Sequence, residues 1–129
     1  MLQLTRCLFA SLIVLTMLAV SVPVQAASKG GPDLVMVYKS SGVYVRNQGR
    51  IATGSRFNVA LYLSELPTPS QVVKVRPLAA GEELRVLAIS PTLPITAICP
   101  KAIADSTNAV DEANELNNTL FFGGIGYCG

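Results

Sequence analysis

Ala104–Asn118, read ADSTNAVDEANELNN, interleaves Asp105, Asp111, Glu112 and Glu115 with Asn108, Asn114, Asn117 and Asn118. Oxygens at that density suit Ca²⁺, which takes about six to eight of them. Four acids without a local cation repel one another, and a divalent ion would relieve the repulsion. The spacing departs from the D-x-[DN]-x-[DN]-G loop, because Thr107 and Ala109 stand where ligands belong. The same side chains have a second use, since Asn and Asp bond to nearby backbone N–H and C=O groups and so fix the shape of a loop. That use accounts for the asparagines, which coordination leaves partly idle. Loop scaffolding with solvated acids is the favoured reading, and calcium at Asp105, Asp111, Glu112 and Glu115 is its rival. A third reading pairs the acids with Arg46, Arg50 or Arg56, at about 0 to 1 kcal/mol per exposed pair.

Catalysis finds little to work with. Histidine is absent from all 129 residues, which removes the commonest general base and the usual zinc ligand. No nucleophile elbow, phosphate loop or C-x-x-C is present. Glu112 and Glu115 as a glycosidase pair would need an aromatic-lined cleft, and the chain holds four Phe, four Tyr and no Trp. A non-enzyme without a cofactor is the expectation, calcium being the one ion in contention.

The front of the chain decides which residues do the work. Met1–Arg6 carries one positive charge, Cys7–Val22 is apolar and uncharged, Pro23 breaks any helix, and Val24-Gln25-Ala26 offers small residues at a processing site. Residues 1–26 therefore read as a secretory signal peptide, cleaved after Ala26, and membrane contact is expected only in transit. The remaining 103 residues, 27–129, suffice for one domain. Export to the periplasm or beyond the cell brings an oxidising compartment, where Cys99 and Cys128 are expected to form a disulfide. The mature charge is near balance, which argues against nucleic acid, yet residues 102–129 hold four acids and no base.

The elements that must carry the acidic segment are strands. Phe57, Val59, Leu61 and Leu63 alternate with Asn58, Ala60, Tyr62 and Ser64, placing four large apolar groups on one face. Val43 and Val45 alternate with Tyr44 and Arg46, and Val73 and Val75 with Lys74 and Arg76. PDLVMVY opens the series, ELRVLAIS and ITAIC continue it, and TLFF closes it, with turn residues between them. About six or seven short strands without a helical stripe predict an antiparallel β-sandwich, with a β-barrel second.

PDLV, NQG, LAAGE and above all DSTNAVDEANELNN, in this order, resemble the CARDB domain, the cell-adhesion-related domain found in bacteria. Its closing signature falls here on Asp105, Asn108, Val110, Glu112, Asn114, Glu115, Asn117 and Asn118, and the resemblance spans residues 32 to 122. It implies an immunoglobulin/fibronectin-like sandwich and a secreted or periplasmic module serving adhesion or binding. The expected partner is a protein or a cell surface, met through sheet edges and loops. A calcium-dependent accessory module acting on carbohydrate or on a secreted enzyme is the alternative. One edge strand is expected to be reduced, since the stretch from Ile89 to Ile95 is short for the family.

If ITAICPKAIA and TLFF pair as a hairpin, the acidic segment is the connection between them, with Val110 and Leu116 as apolar anchors toward the core. A pairing centred near position 112 sets Cys99 opposite about position 125, close to Cys128. Closure of that loop would stabilise the fold by roughly 3 kcal/mol. Pairing of Cys128 between chains stays open as the alternative.

Overall fold

A computed structural model describes Gly30–Gly123, and the expected leader at residues 1–26 and Cys128 lie outside these residues. Alternation sorts the side chains into faces, as the sequence predicts. In β3 (Phe57–Tyr62) the residues Phe57, Val59 and Leu61 are buried, and Leu63 follows on the same side just beyond the strand. β1 (Leu34–Lys39) and β2 (Gly42–Asn47) turn Leu34, Met36, Val43 and Val45 inward, and β4 (Gln71–Val75) turns Val75. β5 (Glu83–Ala88) adds Leu87, and the short β6 (Lys101–Ile103) and β7 (Thr119–Phe121) complete seven strands. No helix occurs among the described residues.

Two antiparallel sheets result, ordered β1-β2-β5 and β4-β3-β6-β7. They face each other across one core to which Leu34, Val43, Val59, Leu61, Val75 and Leu78 contribute fully buried side chains. Burial of each such side chain is worth about 1.5–3 kcal/mol, which is what holds the layers together. In the constant-type immunoglobulin arrangement the fourth strand joins the first, second and fifth. Here β4 pairs β3 instead, from Phe57↔Val75 to Leu61↔Gln71, so β4 forms one edge of the larger sheet.

Close approach of β2 to β5 explains one glycine. Gly42 has φ 154°, and a Cβ there would lie 2.1 Å from the Leu87 carbonyl oxygen. The β2–β5 register shifts one position further on, between Val43 and Tyr44.

The expected strand ITAIC is not one. Residues 90–100 run without strand structure, and Thr96 and Ala97 both donate their N–H to the single carbonyl of Leu63. Pro94 and Pro100 flank the stretch, and proline supplies no N–H to a ladder, so pairing with β7 begins only at Lys101. The register Lys101↔Phe121 to Ile103↔Thr119 centres the hairpin at position 111 and sets Cys99 opposite position 123.

Candidate functional site

The β6–β7 connection, residues 104–118, is built from its own polar side chains. Asp105 and Asn108 both occupy left-handed backbone, φ 44° and 53°, a conformation that Asp and Asn tolerate better than other residues bearing a Cβ. The Asn108 N–H donates to the Asp105 carbonyl (2.9 Å), closing a turn. Within that turn the Asp105 carboxylate accepts from Ala109 N–H (2.9 Å) and Val110 N–H (2.8 Å), and Val110 drops into the core.

Glu112 then reaches across the molecule. One carboxylate oxygen accepts the Leu34 N–H at the start of β1 (2.6 Å) and the other accepts from Asn118 Nδ2 (2.9 Å). The residue is 4% exposed, and its acid is pushed up to about 7, foremost by burial. The Leu34 and Asn118 bonds oppose the rise, whereas the charges of Glu115 and Asp105 add to it. Glu115 accepts the Glu112 N–H (2.9 Å), and Asn114 accepts that of Leu116 (3.0 Å) in a small side-chain turn. Asn117 Nδ2 donates to Asp33 (2.8 Å), and Asn118 lends its carbonyl to Ala104 N–H (2.8 Å).

Two expectations need correction. The acids are not uniformly solvated: Asp105 is 5% exposed and Glu112 is as buried as the core, because each satisfies backbone N–H groups that would otherwise lack partners. Leu116 is no anchor, since it stands 95% exposed at the loop tip. Of the three arginines offered as partners, Arg46 pairs with Glu83 on its own sheet, through which Lys39 is also held. Asp111 and Glu115 sit exposed on the loop surface. Among the described residues no three carboxylate or thiol side chains converge in a group that could hold a metal ion. Half-buried Cys99 lies beside Pro100, two residues before β6.

Sequence reasoning included Asn47 only as the first residue of NQG and gave it no role; it is fully buried and organises the same end of the sandwich. Its Nδ2 donates to the carbonyls of Ile51 (2.8 Å) and Ala79 (3.2 Å), and its Oδ1 accepts from Asp33 N–H (3.1 Å) and Gly49 N–H (3.0 Å). Its signals in the sequence were the NQG piece of the family resemblance and an asparagine following the alternation of Val43 and Val45 at an inward position. Asp33 is the shared hub, receiving Gln48 Nε2 and Asn117 Nδ2 on its two oxygens. The β2–β3, β4–β5 and β6–β7 connections are thereby linked, and Ile51, Arg50 and Leu116 project from them.

Residues 24–121 match the CARDB family model. A domain of a candidate cell surface protein from Methanosarcina acetivorans, solved in solution by NMR, is 29% identical with a TM-score of 0.54, over 70% of this chain and 87% of that one. Among curated proteins nothing matches the chain significantly. The family signature and the arrangement it produces, a turn at Asp105–Asn108, a core contact at Val110 and a buried Glu112 clamping β1, agree with that match: the chain belongs to the CARDB family.

Proposed function

We propose that the protein is an exported, non-enzymatic binding module, residues 27–129 forming one domain behind a leader at residues 1–26, that engages a protein or cell-surface partner through its loops and sheet edges. The observation that carries this reading is the loop end, where three connections are locked together by Asn47, Asp33 and Glu112 while Leu116 and Ile51 stay exposed. Apolar side chains held out on a rigid loop lose little conformational freedom when they bind, which favours affinity. Membership of an adhesion-related family and likeness to a candidate cell surface protein support the same reading. An envelope location follows from it, periplasmic or outside the cell. The test is binding of the purified protein to envelope fractions, comparing the parent with Leu116→Asp and Ile51→Asp. Both substitutions fall on exposed side chains and leave the fold intact. A loss of about tenfold or more in affinity is expected, and unchanged binding by both would count against the loop end.

One observation favours the calcium-dependent alternative. Asn117 Oδ1 and Asn118 Oδ1 are buried without a hydrogen-bond partner, and amide oxygens are calcium ligands. Asp111, Glu115 and these amides would supply the ligand oxygens, whereas both oxygens of Asp105 and of Glu112 accept N–H groups within the fold. A melting midpoint that rises by several degrees with millimolar Ca²⁺, and not with Mg²⁺, would replace the first reading with this one.

A further inference from the structure

The outer face of the larger sheet carries three cations: Lys101 lies over the Tyr62 ring (4.6 Å), while Arg56 and Lys74 take part in none of the ion pairs among the described residues. On that face the register aligns Lys74 beside Asn58, Val72 beside Ala60 and Ile103, and Lys101 beside Tyr62 and Phe121. Arg56 and Lys74 line a depression of about 320 Å³ with Phe57, Asn58, Thr107 and Ala109. Both cations are exposed, and the ion pairs found among the described residues join Lys39 and Arg46 to Glu83 and Arg76 to Glu82, leaving these two aside. The Asp105 carboxylate at the loop end of the depression is buried, with both oxygens turned to Ala109 and Val110 N–H groups. Along the rim runs β4, a sheet edge with Val72 half exposed.

We infer that β4 is the docking edge for an extended, acidic segment of another protein, which adds as a further strand and places a carboxylate between Arg56 and Lys74. This deepens the binding-module reading and rests on it. An unpaired strand edge supplies main-chain N–H and C=O groups to an incoming chain, while side chains on one face supply specificity. Here that face alternates a small apolar contact, Val72 over Ala60, with positive charge at Lys74 and Arg56. A segment alternating Val or Thr with Glu or Asp is complementary to it. A second copy of this chain is the poorer occupant, because its acidic stretch has Asp105 and Glu112 sealed inside and Glu115 accepting a bond from its own loop.

The experiment titrates the full mature chain with a short peptide alternating Glu and Val, and with its Lys-and-Val counterpart, following backbone amide shifts. The acidic peptide should move Gln71–Val75 and Asn58, bind about tenfold more weakly to Arg56→Glu/Lys74→Glu, and weaken further as salt rises. Equal binding of the basic peptide, shifts confined to other surfaces, or a concentration-dependent homodimer abolished by the same double variant would each overturn the assignment. Should β4 stay silent while Leu116→Asp and Ile51→Asp lose envelope binding, this inference falls and the module reading stands. Should the peptide seat on β4 while envelope binding is absent, the reverse holds.

Discussion

Replacing Glu112 by Gln isolates the buried acid that ties the loop to β1. The folded protein holds this group at about 7 against an ordinary value of 4.5, so between those pH values the native state binds a proton that the unfolded chain releases. Stability contributed by Glu112 is therefore fully present below pH 4.5 and is lost as pH rises through 7. The size of the loss is about 3 kcal/mol, from roughly 1.4 kcal/mol per pKa unit. Glu82 and Glu83 act in the opposite sense and in a lower window, since Arg76 and Lys39 respectively hold their carboxyls below the ordinary value. The amide introduced by Glu112→Gln keeps a carbonyl for the Leu34 N–H, and rotation of the Asn118 amide brings its unpartnered Oδ1 to face the new NH₂ group. The variant should match the parent at pH 5 and exceed it at pH 8, with a nearly flat stability profile between. Urea unfolding at half-unit pH steps measures this, with the midpoint and slope fitted separately. A parent whose stability climbs from pH 5 to 8, or a Glu112→Gln variant with the parent's pH dependence, would refute the argument that burial, rather than the two hydrogen bonds, governs this acid.

Other substitutions probe the remaining supports. Asn47→Asp exchanges a buried donor for a charge and leaves the Ile51 and Ala79 carbonyls unpaired. A cost of about 3 kcal/mol should lower the thermal midpoint by roughly 10 °C or more in calorimetry. Gly42→Ala drives a methyl group against the Leu87 carbonyl and should cost about 2 kcal/mol or more, read as a lower urea midpoint. Cys99→Ser/Cys128→Ser should lose roughly 3 kcal/mol. Thiol labelling of the native parent should find Cys99 and Cys128 unreactive, and a covalent dimer on a non-reducing gel would instead assign the bond to two chains.

The faces of β2, β3 and β4 were legible because a strand's side chains alternate with a period of two, and a one-residue error would expose Leu61 or Val45. The turn at Asp105–Asn108 was legible in kind, since both residue types tolerate the backbone that the turn adopts. Leu116 misled for a physical reason: an apolar residue near an apolar strand reads as an anchor, but the small turn at Asn114 carries it outward. ITAIC misled because β-branched residues satisfied the strand pattern while Pro94 and Pro100 denied it a ladder. β6 was legible only as the tail of ITAICPKAIA, whose pairing with TLFF the structure confines to Lys101–Ile103.

By itself the sequence determined the alternation, the turn chemistry and the family signature, since each depends on residues close together in the chain. Only the tertiary structure decided which acids are buried. Glu112 acquires its partner from Leu34, 78 positions away, and Asn47 ties loops separated by some 30 residues. Desolvation and hydrogen bonding across such distances depend on where two sheets happen to meet, and no local pattern records that.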